Sequence, residues 1–354
     1  MTEFLIGAVA VLALLGLFQI FFLRGPDLRA FDGPVGQRHG VDRPPSASHH
    51  AVVASLGGIS VALKSVPRRQ HLAWLRRYMD TAFPLEDFSV RIIPANAGGV
   101  PAEWVLAPNA DPRRRLLYIH GGAWTMGSPT SHRRLTAKFS EMANAAVLAI
   151  DYRLMPEHPR RAGIEDCRTA WRWMLDHGPD GASPASALFV AGDSAGGNLT
   201  LSLIAWVRDQ GLRAPNAAVA LSPATDATLG SPSLKGNLAT DPMLGPLFKA
   251  LAKIPRTVLL WGGWAQNRVR PCHPVVSPVF GDLSGLPPVL VQASEAEMLF
   301  DDARRYVNKS AAAGSPVELQ SWPHMVHVWQ LFHPDLPEGQ EAFERIREFL
   351  QARS

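Results

Sequence analysis

The sequence predicts an α/β domain, a mostly parallel sheet with helices packed on both faces. From about residue 86 onward, short β-rich runs alternate with patterns of helical period, the order that builds a parallel sheet. The later runs are almost continuously apolar, as strands buried on both faces are. The chain has 354 residues, 47% of them hydrophobic and 19% charged. That suits one large folded body with a substantial core.

Eight strands are expected, at Phe88–Ile93, Ala102–Leu106, Leu116–Ile119, Ala146–Ile150, Ala187–Ala191, Ala217–Leu221, Val289–Ala293 and Val317–Ser321, the first pair antiparallel. Helices fit between them at Ser131–Asn144, Gly163–Asp176, Gly196–Gln210, Asp301–Ala313 and Gly339–Ala352. Upstream, Leu72, Leu75 and Met79 recur at helical spacing within Leu63–Phe83. Over sixty residues separate Ala217–Leu221 from Val289–Ala293 and include the helix-like Pro246–Ile254. An insertion of this size is often a lid or binding element. Residues 61–85 and 225–285 are accordingly assigned to a helical cap within a folded α/β domain spanning 61–354.

The N-terminus differs from the rest. Phe4–Leu23 holds twenty residues without a charge, long enough as a helix to cross a bilayer core of about 30 Å. Glu3 precedes it and Arg24 and Gly25 follow, which does not match a cleavable signal. Residues 1–24 are therefore expected to form a single-pass membrane anchor helix. Arg24, Arg29, Arg38 and Arg43 all follow the span, which places the α/β domain on the cytoplasmic side. Residues 25–60 are rich in Gly, Pro, Ser and His and read as a linker, with His49 and His50 exposed to solvent.

The net charge is +4, without a run of like charges or a nucleic-acid-binding motif, so nucleic acid is not an expected partner. Cys167 and Cys272 are the two cysteines, too few for a disulfide framework and without metal-ligand spacing. Neither a metal nor an organic cofactor is expected.

The chemistry lies in loops at the ends of strands. Gly192-Asp193-Ser194-Ala195-Gly196-Gly197 follows Ala187–Ala191 and opens a helix. It contains the G-x-S-x-G turn that presents a nucleophilic serine hydroxyl clear of the backbone. His120-Gly121-Gly122-Ala123-Trp124 follows Leu116–Ile119. N–H groups of such a loop, together with that of Ala195, can bind the oxyanion of a tetrahedral intermediate.

A serine nucleophile needs a base, and the base an orienting acid, in the chain order Ser, acid, His. After Val289–Ala293, Glu295 and Glu297 compete for the acid; Asp301 and Asp302 are better explained as first-turn helix carboxylates. After Val317–Ser321, His324 and His327 compete for the base.

Taken together the motifs resemble the hormone-sensitive-lipase-like esterases of the α/β-hydrolase superfamily, a group that includes acetyl esterases and monoterpene lactone hydrolases. The resemblance covers roughly residues 65–350. It rests on His120–Trp124, Asp151-Tyr152-Arg153-Leu154-Met155-Pro156-Glu157, Gly192–Gly197, Val276-Ser277-Pro278, Gly285-Leu286-Pro287-Pro288 and His327-Val328-Trp329. It implies an α/β-hydrolase fold, Ser194 as nucleophile, Glu297 as acid and His327 as base. It also implies an oxyanion hole from Gly121, Gly122, Ala123 and Ala195. Ala123 stands where the family usually has a third glycine; its N–H remains a donor, and its methyl narrows the pocket. Asp151, Arg153 and Glu157 match the family's structural polar turn.

The expected activity is serine carboxylesterase action on short-chain acyl esters or small lactones. The alternatives are an amidase or peptidase on the same residues, and a non-catalytic ligand-binding protein. A dehalogenase or epoxide hydrolase would need a carboxylate at the Ser194 position.

Overall fold

The structure, a computed structural model, describes residues 4, 7, 13–33, 36–85 and 89–353. A nine-stranded sheet forms its centre. In chain order the strands are β1 (Gln37–Arg38), β2 (Arg91–Ala97), β3 (Val100–Leu106), β4 (Asp111–Ile119), β5 (Ala145–Ile150), β6 (Ala187–Asp193), β7 (Ala217–Leu221), β8 (Val289–Ser294) and β9 (Val317–Trp322). They lie in the order β1-β9-β8-β7-β6-β4-β5-β3-β2. The β2–β3 and β3–β5 pairs are antiparallel and the others parallel. Every residue of β5, β6, β7 and β8 is buried, which is why these strands read as unbroken apolar runs.

The eight longer described helices are α1 (Ala47–Lys64), α2 (His71–Ala82), α3 (Arg133–Ala143), α4 (Arg160–Asp176), α5 (Ala195–Asp209), α6 (Arg256–Asn267), α7 (Phe300–Ala312) and α8 (Pro337–Gln351). Phe139 of α3 and Phe343 and Ile346 of α8 pack on one face of the sheet. Trp171 of α4, Leu201 of α5 and Tyr306 of α7 pack on the other. Local chemistry sets several ends. Asn144 stops α3 in the left-handed conformation, φ 48°, as a C-terminal Asn can. Pro337 starts α8, where its missing N–H costs nothing. Asp301 and Asp302 sit in the first turn of α7, beside the positive end of its dipole.

Register brings the active loops together. Ile119 of β4 pairs with Gly192 of β6, so the loop after β4 lies beside the turn after β6. Ser294 of β8 pairs with Trp322 of β9, so the loops carrying Glu297 and His327 leave the sheet side by side.

The N-terminal expectation is corrected. Among the described residues no helix is long and apolar enough to cross a membrane. The single-pass anchor over residues 1–24, and the cytoplasmic placement that rested on it, do not stand. Residues 13–18 are helical and run into a π-helical turn, Gln19–Leu23; residues 5, 6 and 8–12 of the expected span lie outside the described residues. Of the described apolar side chains of this stretch, Phe18, Phe22 and Leu23 meet protein, while Phe4, Leu14, Leu15, Leu17, Ile20 and Phe21 are exposed. Phe18 stacks on Trp261 of α6 at 5.3 Å, Phe22 meets Trp264 edge-on at 6.3 Å, and Leu23 is fully buried.

Residues 25–60 are not a bare linker either. They supply β1, paired with β9, and the start of α1, whose N-cap Ser46 accepts the His49 N–H at 3.1 Å. His49 is buried rather than exposed. The Pro246–Ile254 piece is split into Gly245–Phe248 and a 3-10 turn at Leu251–Lys253, and α6 follows.

Candidate active site

Asp193 ends β6 and Ala195 begins α5, leaving Ser194 alone in the turn at φ 52°, ψ −114°. Side chains rarely adopt this left-handed backbone, and it stands the hydroxyl clear of its neighbours. The Ser194 N–H donates to Leu221 C=O at 2.7 Å, and its own C=O accepts the Asn198 N–H at 3.1 Å.

His327 Nε2 lies 2.9 Å from Ser194 Oγ, and Nδ1 lies 2.8 Å from Glu297 Oε2. Both His327 and Glu297 are buried. Burial favours the neutral imidazole, but the hydrogen bond and charge of Glu297 outweigh it and raise the His327 pKa above its ordinary value. Burial raises the Glu297 carboxyl, against the pull of His327.

The competing residues lie elsewhere. Arg38 of β1 grips both oxygens of Glu295 at 2.6 Å, and Ser321 Oγ donates to it at 2.9 Å. His324 is exposed. Asp301 and Asp302 accept backbone N–H groups of Ser233, Thr225 and Asp226. Arg153 pairs with Asp166, and Glu157 with Arg76.

The loop after β4 is held from below. Asp193 Oδ1 accepts the Tyr118 hydroxyl at 2.8 Å and the Gly121 N–H at 3.0 Å, and its Oδ2 lies 3.4 Å from His132 Nε2. Burial raises the Asp193 pKa, but His132 and Tyr118 more than offset it and keep the carboxyl below its usual range. Gly121 therefore spends its N–H on Asp193 and is removed from the expected set of oxyanion donors. Its hydrogen is needed for another reason: a β-carbon there would lie 2.1 Å from Asp193 Oδ2.

Gly122, Ala123 and Trp124 all have positive φ, at 109°, 54° and 59°. Among the described residues no protein acceptor takes the N–H of Gly122, Ala123 or Ala195. Ala123 is exposed and Gly122 partly so, on the side of Ser194.

Two largely apolar chambers open on Ser194. One, of about 420 Å³, is walled by Leu56 and Ile59 of α1, Tyr78 and Met79 of α2, and Leu331. The other, of about 490 Å³, is walled by Trp124, Phe248, Val258 and Leu259 of α6, and Met298.

Known proteins match this arrangement. Residues 116–331 match the family described as alpha/beta hydrolase fold. An acetyl-hydrolase of Streptomyces hygroscopicus is 40% identical over 254 residues, 72% of this chain and 80% of the relative. A carboxylesterase/phospholipase of Mycobacterium tuberculosis is 35% identical over 263 residues, 72% of this chain and 68% of the relative. A solved esterase of the bacterial hormone-sensitive lipase family superposes with a TM-score of 0.74 at 36% identity, covering 88% of this chain and 99% of that one. The chain belongs to the hormone-sensitive-lipase-like esterases of the α/β-hydrolase fold. It is a carboxylic-ester hydrolase.

In this esterase the sequence reading overlooked the Tyr118–Asp193–His132 support. Asp193 was in view inside the Gly192–Gly197 motif, but nothing in the sequence showed that its carboxylate faces the loop after β4. His120 is also buried; its Nδ1 lies 2.8 Å from Gly121 C=O, and Tyr152 donates to its carbonyl at 2.9 Å. Burial lowers its pKa to about 3, so it serves as a neutral ring stacked on Tyr152. Cys167 and Cys272 are free thiols.

Proposed function

We propose that this esterase cleaves short-chain acyl esters or small lactones through Ser194, with His327 as base and Glu297 as the acid that orients it. The observation that carries the reading is the hydrogen-bonded line from Ser194 Oγ through both nitrogens of His327 to Glu297. His327 takes the hydroxyl proton as Ser194 Oγ attacks the ester carbonyl, and Glu297 stabilises the imidazolium. The N–H groups of Gly122, Ala123 and Ala195 receive the oxyanion. His327 returns its proton to the leaving alkoxide, and water then releases the acyl group by the same steps in reverse. The helices α1 and α2 and the segment 225–285 act as a cap whose apolar side chains exclude water. The acetyl-hydrolase relative supports a small acyl group. A series of p-nitrophenyl esters with matched anilides tests the reading. Turnover highest on the short esters and absent on the anilides is expected; faster anilide cleavage would replace esterase with amidase.

The two ambiguous loops separate by mutation. Glu297→Gln is expected to lower kcat by on the order of 10³–10⁴-fold, because the imidazolium loses its counter-charge. Glu295→Gln breaks only a partly exposed pair with Arg38. It should change kcat less than threefold and cost at most about 1 kcal/mol. His324→Ala should be equally mild. A reversed ranking in steady-state kinetics would reassign the acid loop.

His327 must be neutral to accept the proton. Because its pKa is raised, activity should fall on acidification with a midpoint above about 6.5, the free-imidazole value. Any residual activity of Glu297→Gln should titrate at lower pH, since the charge that raises the imidazole is gone. A wild-type midpoint below 6 in the kcat/KM profile would contradict the coupling.

A further inference from the structure

Arg160, the first residue of α4, is 6% exposed. Its guanidinium lies 3.7 Å above the ring of Trp124. Its Nη2 donates to Asn198 Oδ1 and to Val276 C=O, each at 3.1 Å, and its Nε has no hydrogen-bond partner among the described residues. None of these partners is a carboxylate. A buried charge without a counter-ion is destabilising, and burial pushes the Arg160 pKa down to about 9. The guanidinium still stays charged at neutral pH, so its position is held at a cost to stability.

What Arg160 touches gives it a purpose. Trp124 closes the strained run of positive φ that includes Ala123. Asn198 lies in the first turn of α5, bonded through its N–H to Ser194 C=O and through Nδ2 to Ala224 C=O at 2.6 Å and Val276 C=O at 3.0 Å. One planar group thus spans two separate elements, the loop after β4 and the turn that carries Ser194. An oxyanion hole assembled from both needs them in fixed register, since a displacement of about 1 Å can cost on the order of a hundredfold in rate.

The geometry points to Arg160 as a positioning residue that clamps Trp124 against the Asn198 turn and so holds the Ala123 and Ala195 N–H groups around the oxyanion. The inference rests on the reading of Ser194 and its oxyanion donors given above. A guanidinium suits the task because it stacks flat on the indole while its edge reaches two acceptors.

The test compares substrate turnover with binding of a trifluoromethyl ketone, which adds to the serine and mimics the tetrahedral state. Arg160→Met should lower kcat about tenfold or more with KM within twofold, and ketone affinity should fall by the same factor as kcat/KM. In a Trp124→Leu background the same change should produce no further loss, because the effect passes through the indole. Full multiplicative losses in the double variant, or a change in KM alone, would overturn the clamp. If Arg160→Met does not fold, Arg160→Lys carries the test. The ammonium keeps the charge but cannot cover the ring while bridging Asn198 and Val276, so ketone affinity should still fall about tenfold; wild-type affinity there overturns the clamp. Fluorophosphonate labelling separates the two readings. A wild-type enzyme unlabelled at Ser194 sinks the assignment of the nucleophile, whereas normal labelling with ketone binding indifferent to Arg160 sinks the clamp alone.

Discussion

Replacing Ser194 with alanine is expected to lower kcat on a p-nitrophenyl ester by about 10⁴-fold or more and to abolish labelling by a fluorophosphonate, with the melting temperature little changed. The fold should survive because among the described residues the Ser194 hydroxyl has one hydrogen-bond partner, His327, while the turn is fixed by backbone bonds to Leu221 and Asn198. Alanine keeps those bonds and has the same β-carbon at φ 52°. Only the attacking oxygen is lost. The proposed oxyanion donors and the chambers remain, so turnover should still exceed the reaction in water. His327→Ala should be about as damaging, and the double variant little worse, since groups that act as one unit do not add. Undiminished labelling of a folded Ser194→Ala protein would remove Ser194 as nucleophile.

The central strands were legible because burial on both faces writes itself as an unbroken apolar run, as in Ala217–Leu221. Gln37–Arg38 was not, since two polar residues show no period and pair only because β9 offers a free edge. Helix α1 was half-hidden because Gly57, Gly58 and several serines and histidines dilute its apolar stripe; its start is set by Ser46 and its burial by contacts far along the chain. The apolar stretch before Arg24 reads as a membrane span because composition reports how much apolar surface there is, not which part of it packs on distant residues. Phe18 and Phe22 meet the indoles of α6, over 230 residues away. The acid loop was ambiguous for a similar reason. Glu295 and Glu297 differ by two positions, and what separates them is the company each keeps, Arg38 for one and His327 for the other. The resemblance groups Gly121 with the oxyanion donors; its N–H is taken by Asp193, 72 positions on.

A steep loss of stability should come from Gly196→Ala. A β-carbon at residue 196 would lie 1.9 Å from Ile119 O and 2.6 Å from His120 O, both backbone atoms at the end of β4, so no side-chain rotation relieves the clash. Moving β4 away would break its ladder with β6, where Ile119 pairs with Gly192. Moving α5 would drag Ser194 from His327. The expected cost exceeds about 4 kcal/mol, enough to lower the melting temperature by roughly 5 °C or more or to leave little folded protein, with activity lost in step. Gly58→Ala in α1 is the matched control, because a β-carbon there meets nothing within 4 Å among the described residues. Replacing a mid-helix glycine should stabilise by about 0.5–1 kcal/mol and leave kcat within twofold. Thermal melts of the two variants side by side measure backbone closeness at the catalytic turn rather than a general intolerance of alanine. A Gly196→Ala enzyme with wild-type melting and turnover would mean that β4 and the start of α5 stand further apart than these contacts require.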